Sequence, residues 1–129
     1  MSASALEQPT NVLIVEDNPD NQQLATWILE DEGFNVTCVE SAEEGLELLE
    51  TNSYDLILMD ISLPGMDGKE ATRKIRNSPH LKHIPVLALT AHAVQGEREA
   101  IVASGVDGLL TKPVDEDELL SHIAQLLDK

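Results

Sequence analysis

A chain of 129 residues with 42% apolar side chains fits one domain with an aliphatic core, since Trp27, Phe34 and Tyr54 are its only aromatics. No apolar stretch approaches the roughly 20 residues of a helical span, and the first ten residues lack a signal-like start, so a soluble protein with a flexible leader over residues 1–10 is expected. The formal charge of −16 argues against direct DNA binding or an anionic membrane partner. Lone Cys38 rules out an internal disulfide and suits a reducing cytoplasm.

In chain order, Asn11 to Glu16 reads as a strand, and Asn18 then caps a helix with Pro19 at its first position and Gly33 as its stop. Asn35 to Glu40 is a second strand, after which Ser41 and Glu44 stand at capping-box spacing. Asp55 to Asp60 is a third strand, followed by a second capping-box pair, Asp67 and Glu70. Pro85 to Thr90 is the fourth, and Gly105 closes the helix after it. Val106 to Thr111 is the fifth, and Asp115 with Glu118 opens the last helix. Pairs such as Leu24/Ile28, Leu46/Leu49 and Leu119/Ile123 give helices one buried stripe. On the single Trp27, full or partial burial is expected.

Strand–helix alternation implies a doubly wound parallel sheet with helices on both faces. Val12 to Val15, Leu56 to Met59 and Val86 to Leu89 are apolar on successive residues, as strands covered on both faces must be. The second strand alternates in polarity and the fifth is interrupted by Gly108, so both belong at edges. The order 2-1-3-4-5 satisfies this. With no repeat and no linker composition, residues 11–129 are expected to form the domain.

In an open parallel sheet, ligands bind beyond the carboxyl ends of the strands, where strand order reverses. Those ends carry Glu16-Asp17, Asp60, Thr90 and Thr111-Lys112-Pro113. Strands one and three are neighbours, so three carboxylates converge and repel one another unless a cation joins them. Hard oxygen donors favour Mg²⁺, with Mn²⁺ able to stand in. Lys112 supplies positive charge for an incoming phosphoryl group, and Thr90 a hydroxyl. With Asp60 as in-line nucleophile, the product is an aspartyl phosphate.

Four strings, Val15 to Asn21, Met59 to Gly68, Leu89 to Ala93 and Leu110 to Pro113, resemble the response-regulator receiver domains of two-component signalling. The resemblance runs from about Asn11 to Leu127 and implies a flavodoxin-like receiver fold with five helices. It implies Asp60 as phosphoacceptor, Asp17 as a direct metal ligand, Glu16 assisting through water, and the Ser62 backbone carbonyl as a further ligand. Thr90 becomes the switch hydroxyl, Lys112 the phosphate counter-charge, and Ser62 and His92 the positions that tune water access. A cis Lys112–Pro113 bond also follows from the family. One departure stands out: the family usually has Tyr or Phe where this chain has Leu109, so the aromatic part of the relay is missing.

The expected protein is a single-domain response regulator, a signalling phosphoacceptor rather than a conventional enzyme. A sensor histidine kinase or histidine phosphotransfer domain would donate, and a separate protein target would respond. A phosphorelay intermediate is the alternative. An aspartate-nucleophile phosphatase would want Asp-x-Asp after the first strand, where residues 16 to 18 read Glu-Asp-Asn. A flavin carrier would want a hydroxyl- and glycine-rich loop there. A purely structural pseudo-receiver fits poorly with retention of all five site residues. His80 and His83 read as loop histidines, and Asp115 to Glu118 as an acidic helix start favoured by the dipole.

Overall fold

Runs of branched aliphatic residues, broken by capping side chains and glycines, become five strands and five helices in strict alternation among the described residues. The computed structural model describes residues 10–62, 65–91 and 95–127. The elements are β1 (Asn11–Val15), α1 (Pro19–Asp31), β2 (Asn35–Val39), α2 (Ala42–Thr51), β3 (Leu56–Asp60), α3 (Gly68–Arg76), β4 (Val86–Thr90), α4 (Gln95–Ala103), β5 (Gly108–Thr111) and α5 (Glu116–Leu127). All strand pairs are parallel, in the order β2-β1-β3-β4-β5. The polarity of the strands thus placed β2 and β5 at the edges correctly.

The helix starts form as their side chains dictate. The Asn18 Oδ1 accepts from the Asn21 N–H at 3.0 Å, Ser41 Oγ from Glu44 at 3.1 Å, and Asp67 Oδ1 from Glu70 at 2.9 Å. Each such cap contributes about 1 kcal/mol. Asp115 Oδ2 accepts from the Glu118 N–H in the same way. Beyond α1, Gly33 takes a positive φ of 92°, a conformation that a Cβ disfavours.

Successive strand residues point to opposite faces, and each face has its own core. Val12, Ile14, Leu58 and Leu87 pack with Ala25, Ile28 and Leu29 of α1 and Leu119 and Ile123 of α5. Leu13, Val15, Ile57 and Met59 pack on the other side with Leu49 of α2 and Ala71 and Ile75 of α3. Each buried aliphatic side chain contributes about 1.5–3 kcal/mol. Both faces of the central strands are therefore closed, and only their ends are open to ligands.

Two expectations need correction. Strand bounds tighten: β1 and β2 end at Val15 and Val39, one residue before Glu16 and Glu40, Asp55 and Pro85 precede β3 and β4, and β5 starts at Gly108 rather than Val106. Trp27 is not buried but 72% exposed. At about 100° per residue it falls opposite the stripe of Ala25, Ile28 and Leu29, so helical phase overrides the apolar character of the ring. Of the leader, residues 1–9 lie outside the described residues, while the Thr10 carbonyl already accepts from the Asn35 N–H at 2.8 Å.

Candidate functional site

The carboxyl edge of the sheet gathers charge because three strands stop there together. Val15 ends β1, Asp60 ends β3 and Thr90 ends β4, with Asp60 in register with Leu89. Glu16, Asp17 and Asp60 each offer an oxygen within 4.8 Å of the others. Glu16 is 0% and Asp60 1% exposed, whereas Asp17 is open to solvent. Among the described residues this is the one group of three such side chains close enough to hold a metal ion. His80 and His83 take no part; both are exposed, and His80 stands 4.0 Å from Glu50.

Lys112 enters from the far side of β4, where its backbone N–H donates to the Thr90 carbonyl at 2.8 Å. Its Nζ lies 3.3 Å from Glu16 Oε1 and 3.2 Å from Asp60 Oδ2. Burial drives the lysine pKa down, but the Asp60 and Glu16 carboxylates outweigh it, and the net direction is upward from 10.5. The ammonium is therefore charged at neutral pH. Burial, and then the negative charge of Asp60, push the Glu16 carboxyl above its ordinary 4.5; the Asn18 N–H and Lys112 only partly oppose them. One cation thus faces three carboxylates.

Backbone donors set the geometry. The Ser62 N–H donates to Asp60 Oδ1 at 3.0 Å, and the Asn18 N–H to Glu16 Oε2 at 3.0 Å. The Glu16 N–H continues the sheet to the Val39 carbonyl at 3.0 Å, and Gln22 Nε2 donates to the Glu16 carbonyl. Thr90 is 2% exposed. Leu109 packs, half-buried, on a small cluster of Ile61, Ala88 and Ile101. His92 lies outside the described residues. The Lys112–Pro113 bond is cis.

Two contributors escaped the sequence reading. A Cβ on Gly68 would stand 2.3 Å from the Asp60 carbonyl oxygen and 2.9 Å from Ile61 Cα. Glycine there lets α3 begin directly against the backbone of Asp60, and its own N–H donates to the Ile61 carbonyl at 3.2 Å. Gln22 is the other. Its only sequence signal was its place four residues after the cap and six after Glu16.

A donor set made wholly of oxygens, with two of the carboxylates buried and a single lysine opposite three acidic groups, fits a hard divalent cation. A doubly wound sheet ending in this constellation is the architecture of a signalling receiver. The chain belongs to the response regulator receiver domain family, whose profile matches residues 12–124. In that family an aspartate phosphoacceptor and Mg²⁺ dependence are general, and receivers pair with histidine kinases or phosphotransfer proteins.

The sensor histidine kinase GacS of Pseudomonas protegens is 42% identical over 111 residues, covering 84% of this chain; the chain spans only 12% of that kinase. A 14.6 kDa protein from the sodA1 3′ region of Leptolyngbya boryana is 41% identical, covering 89% of this chain and 88% of its own length. Among solved structures, the receiver domain of the sensor kinase PA1611 from Pseudomonas aeruginosa, described with magnesium coordinated in its active-site cleft, superposes with a TM-score of 0.88. It is 37% identical and covers 95% of this chain and all of its own. No helix among the described residues is long and apolar enough to cross a membrane.

Proposed function

We propose that the protein is a phosphorylation-controlled switch in which Asp60 accepts a phosphoryl group from a phosphohistidine on a sensor kinase or phosphotransfer domain. The observation that carries this reading is the meeting of Glu16, Asp17 and Asp60 within 4.8 Å, with Lys112 Nζ 3.2 Å from Asp60 Oδ2.

Glu16, Asp17, Asp60 and the Ser62 carbonyl would hold Mg²⁺, which supplies positive charge for the phosphoryl oxygens. An Asp60 carboxylate oxygen attacks phosphorus in line while the P–N bond to the donor imidazole breaks. The Ser62 N–H orients Asp60 through its other oxygen. Lys112, kept protonated by its two carboxylate neighbours, places a second positive charge where the transferred oxygens arrive. Thr90 donates its hydroxyl to one of them and so senses the new group.

In this reading the switched surface meets a separate protein in the cytoplasm. A nearly complete shift between states requires about 5.5 kcal/mol of differential stabilisation. With Leu109 at the usual aromatic position, its packing on Ile61 and Ile101 replaces the ring as the apolar part of the relay. Phosphorelay passage to a further histidine is the second reading, favoured by the likeness to kinase-borne receivers.

Acetyl phosphate with Mg²⁺ should add one phosphoryl group, read as 80 Da by intact mass, and Asp60→Asn should abolish the adduct. Labelling of that variant at the wild-type level would overturn the assignment.

A further inference from the structure

The amide of Gln22 does something the phosphoryl chemistry does not itself require. Its Nε2 donates to the backbone carbonyl of Glu16. That carbonyl belongs to the peptide joining Glu16 to Asp17, just past the end of β1, where sheet pairing to β3 has stopped at Val15 and Met59. On the β2 side, the Glu16 N–H is still tied to Val39. Gln22 is thus the group from outside the sheet that fixes the next peptide plane.

The rest of the turn is closed around the same point. The Asn18 N–H reaches Glu16 Oε2 at 3.0 Å, the Asn21 N–H reaches Asn18 Oδ1 at 3.0 Å, and the Gln22 N–H reaches the Asn18 carbonyl at 3.0 Å. Asp17 follows that peptide directly, and its side chain is exposed. A carboxylate on an open strand end has rotamer and backbone freedom to swing away from two buried acidic neighbours that repel it. A side-chain bond made from a rigid helix removes the backbone part of that freedom.

We infer that Gln22 is a positioning residue for the cation site: through the Glu16 carbonyl it holds the Asp17 carboxylate against Glu16 and Asp60. The inference rests on the reading of these three carboxylates as the Mg²⁺ site. Gln22 touches neither phosphate nor metal. Its contribution is to affinity for the cation and not to the attack by Asp60. Partners of metal ligands commonly change affinity by about 10-fold or more when lost.

The test is Mg²⁺ titration of the full chain by calorimetry, comparing wild type, Gln22→Met and Gln23→Met. Methionine keeps the length and apolar stem of glutamine but has no N–H, and Gln23 is an exposed neighbour serving as control. Gln22→Met should weaken Mg²⁺ binding about 10-fold, with Gln23→Met unchanged. In phosphorylation by acetyl phosphate, Gln22→Met should raise the half-saturating Mg²⁺ concentration by the same factor and reach the wild-type rate at saturation. A variant that is merely less stable would keep its affinity below its melting temperature. Wild-type affinity in Gln22→Met overturns the inference, as does a rate that stays low at saturating Mg²⁺. If the wild-type protein itself fails to bind Mg²⁺, the reading of the site falls, and the inference with it.

Discussion

The two ends of the same sheet handle charge in opposite ways. At the amino end, Arg76 makes four hydrogen bonds to fixed partners: Nε to the Gly105 carbonyl at 2.8 Å, Nη1 to the carbonyls of Lys82 and Ile84 at 2.9 and 2.7 Å, and Nη2 to Asp107 Oδ2 at 2.6 Å. That same Asp107 oxygen accepts the Val86 N–H at 2.9 Å. One cation meets one anion, and three further donors find carbonyls. At the carboxyl end, one lysine faces Glu16, Asp17 and Asp60. The first arrangement is complete as folded, and it staples the turns before β4 and β5 to α3. The second is left in excess negative charge by folding, and the excess is what a divalent cation would offset.

If the amino-end network is structural, Arg76→Met should have the largest effect on stability. It strands half-buried carbonyls and the Asp107 carboxylate, and unfolding in urea should show a loss of about 2 kcal/mol with the rate of Asp60 phosphorylation unchanged. A lost rate with intact stability would erase the contrast between the two ends. Mg²⁺ sharpens it from the other side. At tenfold excess over its dissociation constant, the cation should stabilise the wild type by about 1.4 kcal/mol and Arg76→Met by the same amount. Asp60→Asn should gain far less, as read by thermal shift. Equal gain in Asp60→Asn would remove Asp60 from the cation site.

The smallest effect is a dependence on pH. Folding raises the affinity of Glu16 for a proton, so its contribution to stability is fully present below about 4.5 and lost as pH rises through its elevated folded value. Without Mg²⁺, the stability of the wild type relative to Glu16→Gln should therefore decline as pH rises through that range. A difference that grows with pH would mean that Lys112 and the Asn18 N–H, rather than burial and Asp60, dominate at Glu16.

Much of this was legible before any coordinates. The caps at Asn18, Ser41 and Asp67 are local chemistry, readable because the bonding partners lie within three residues. The edge places of β2 and β5 followed from the polarity of β2 and the glycine in β5, since burial on two faces leaves a compositional mark, and a common doubly wound order supplied the rest. The convergence of Glu16, Asp17, Asp60 and Lys112 followed from topology alone: in a parallel sheet of that order, neighbouring strands end at one edge. Trp27 is exposed because its phase on α1, and not its apolar character, decides which way the ring faces.

What the amino-acid sequence determined by itself was therefore the elements, their order in the sheet and the set of residues delivered to its carboxyl edge, all of which depend on short-range periodicity and capping. Only the tertiary structure decided how those residues stand toward one another. The approach of Gly68 to the Asp60 backbone, the reach of Gln22 to the Glu16 carbonyl and the shift of Glu16 away from its ordinary acidity arise between segments far apart in the chain or folded back on one another. Distances of a few ångströms across a desolvated space govern them, and spacing along a chain does not encode such distances.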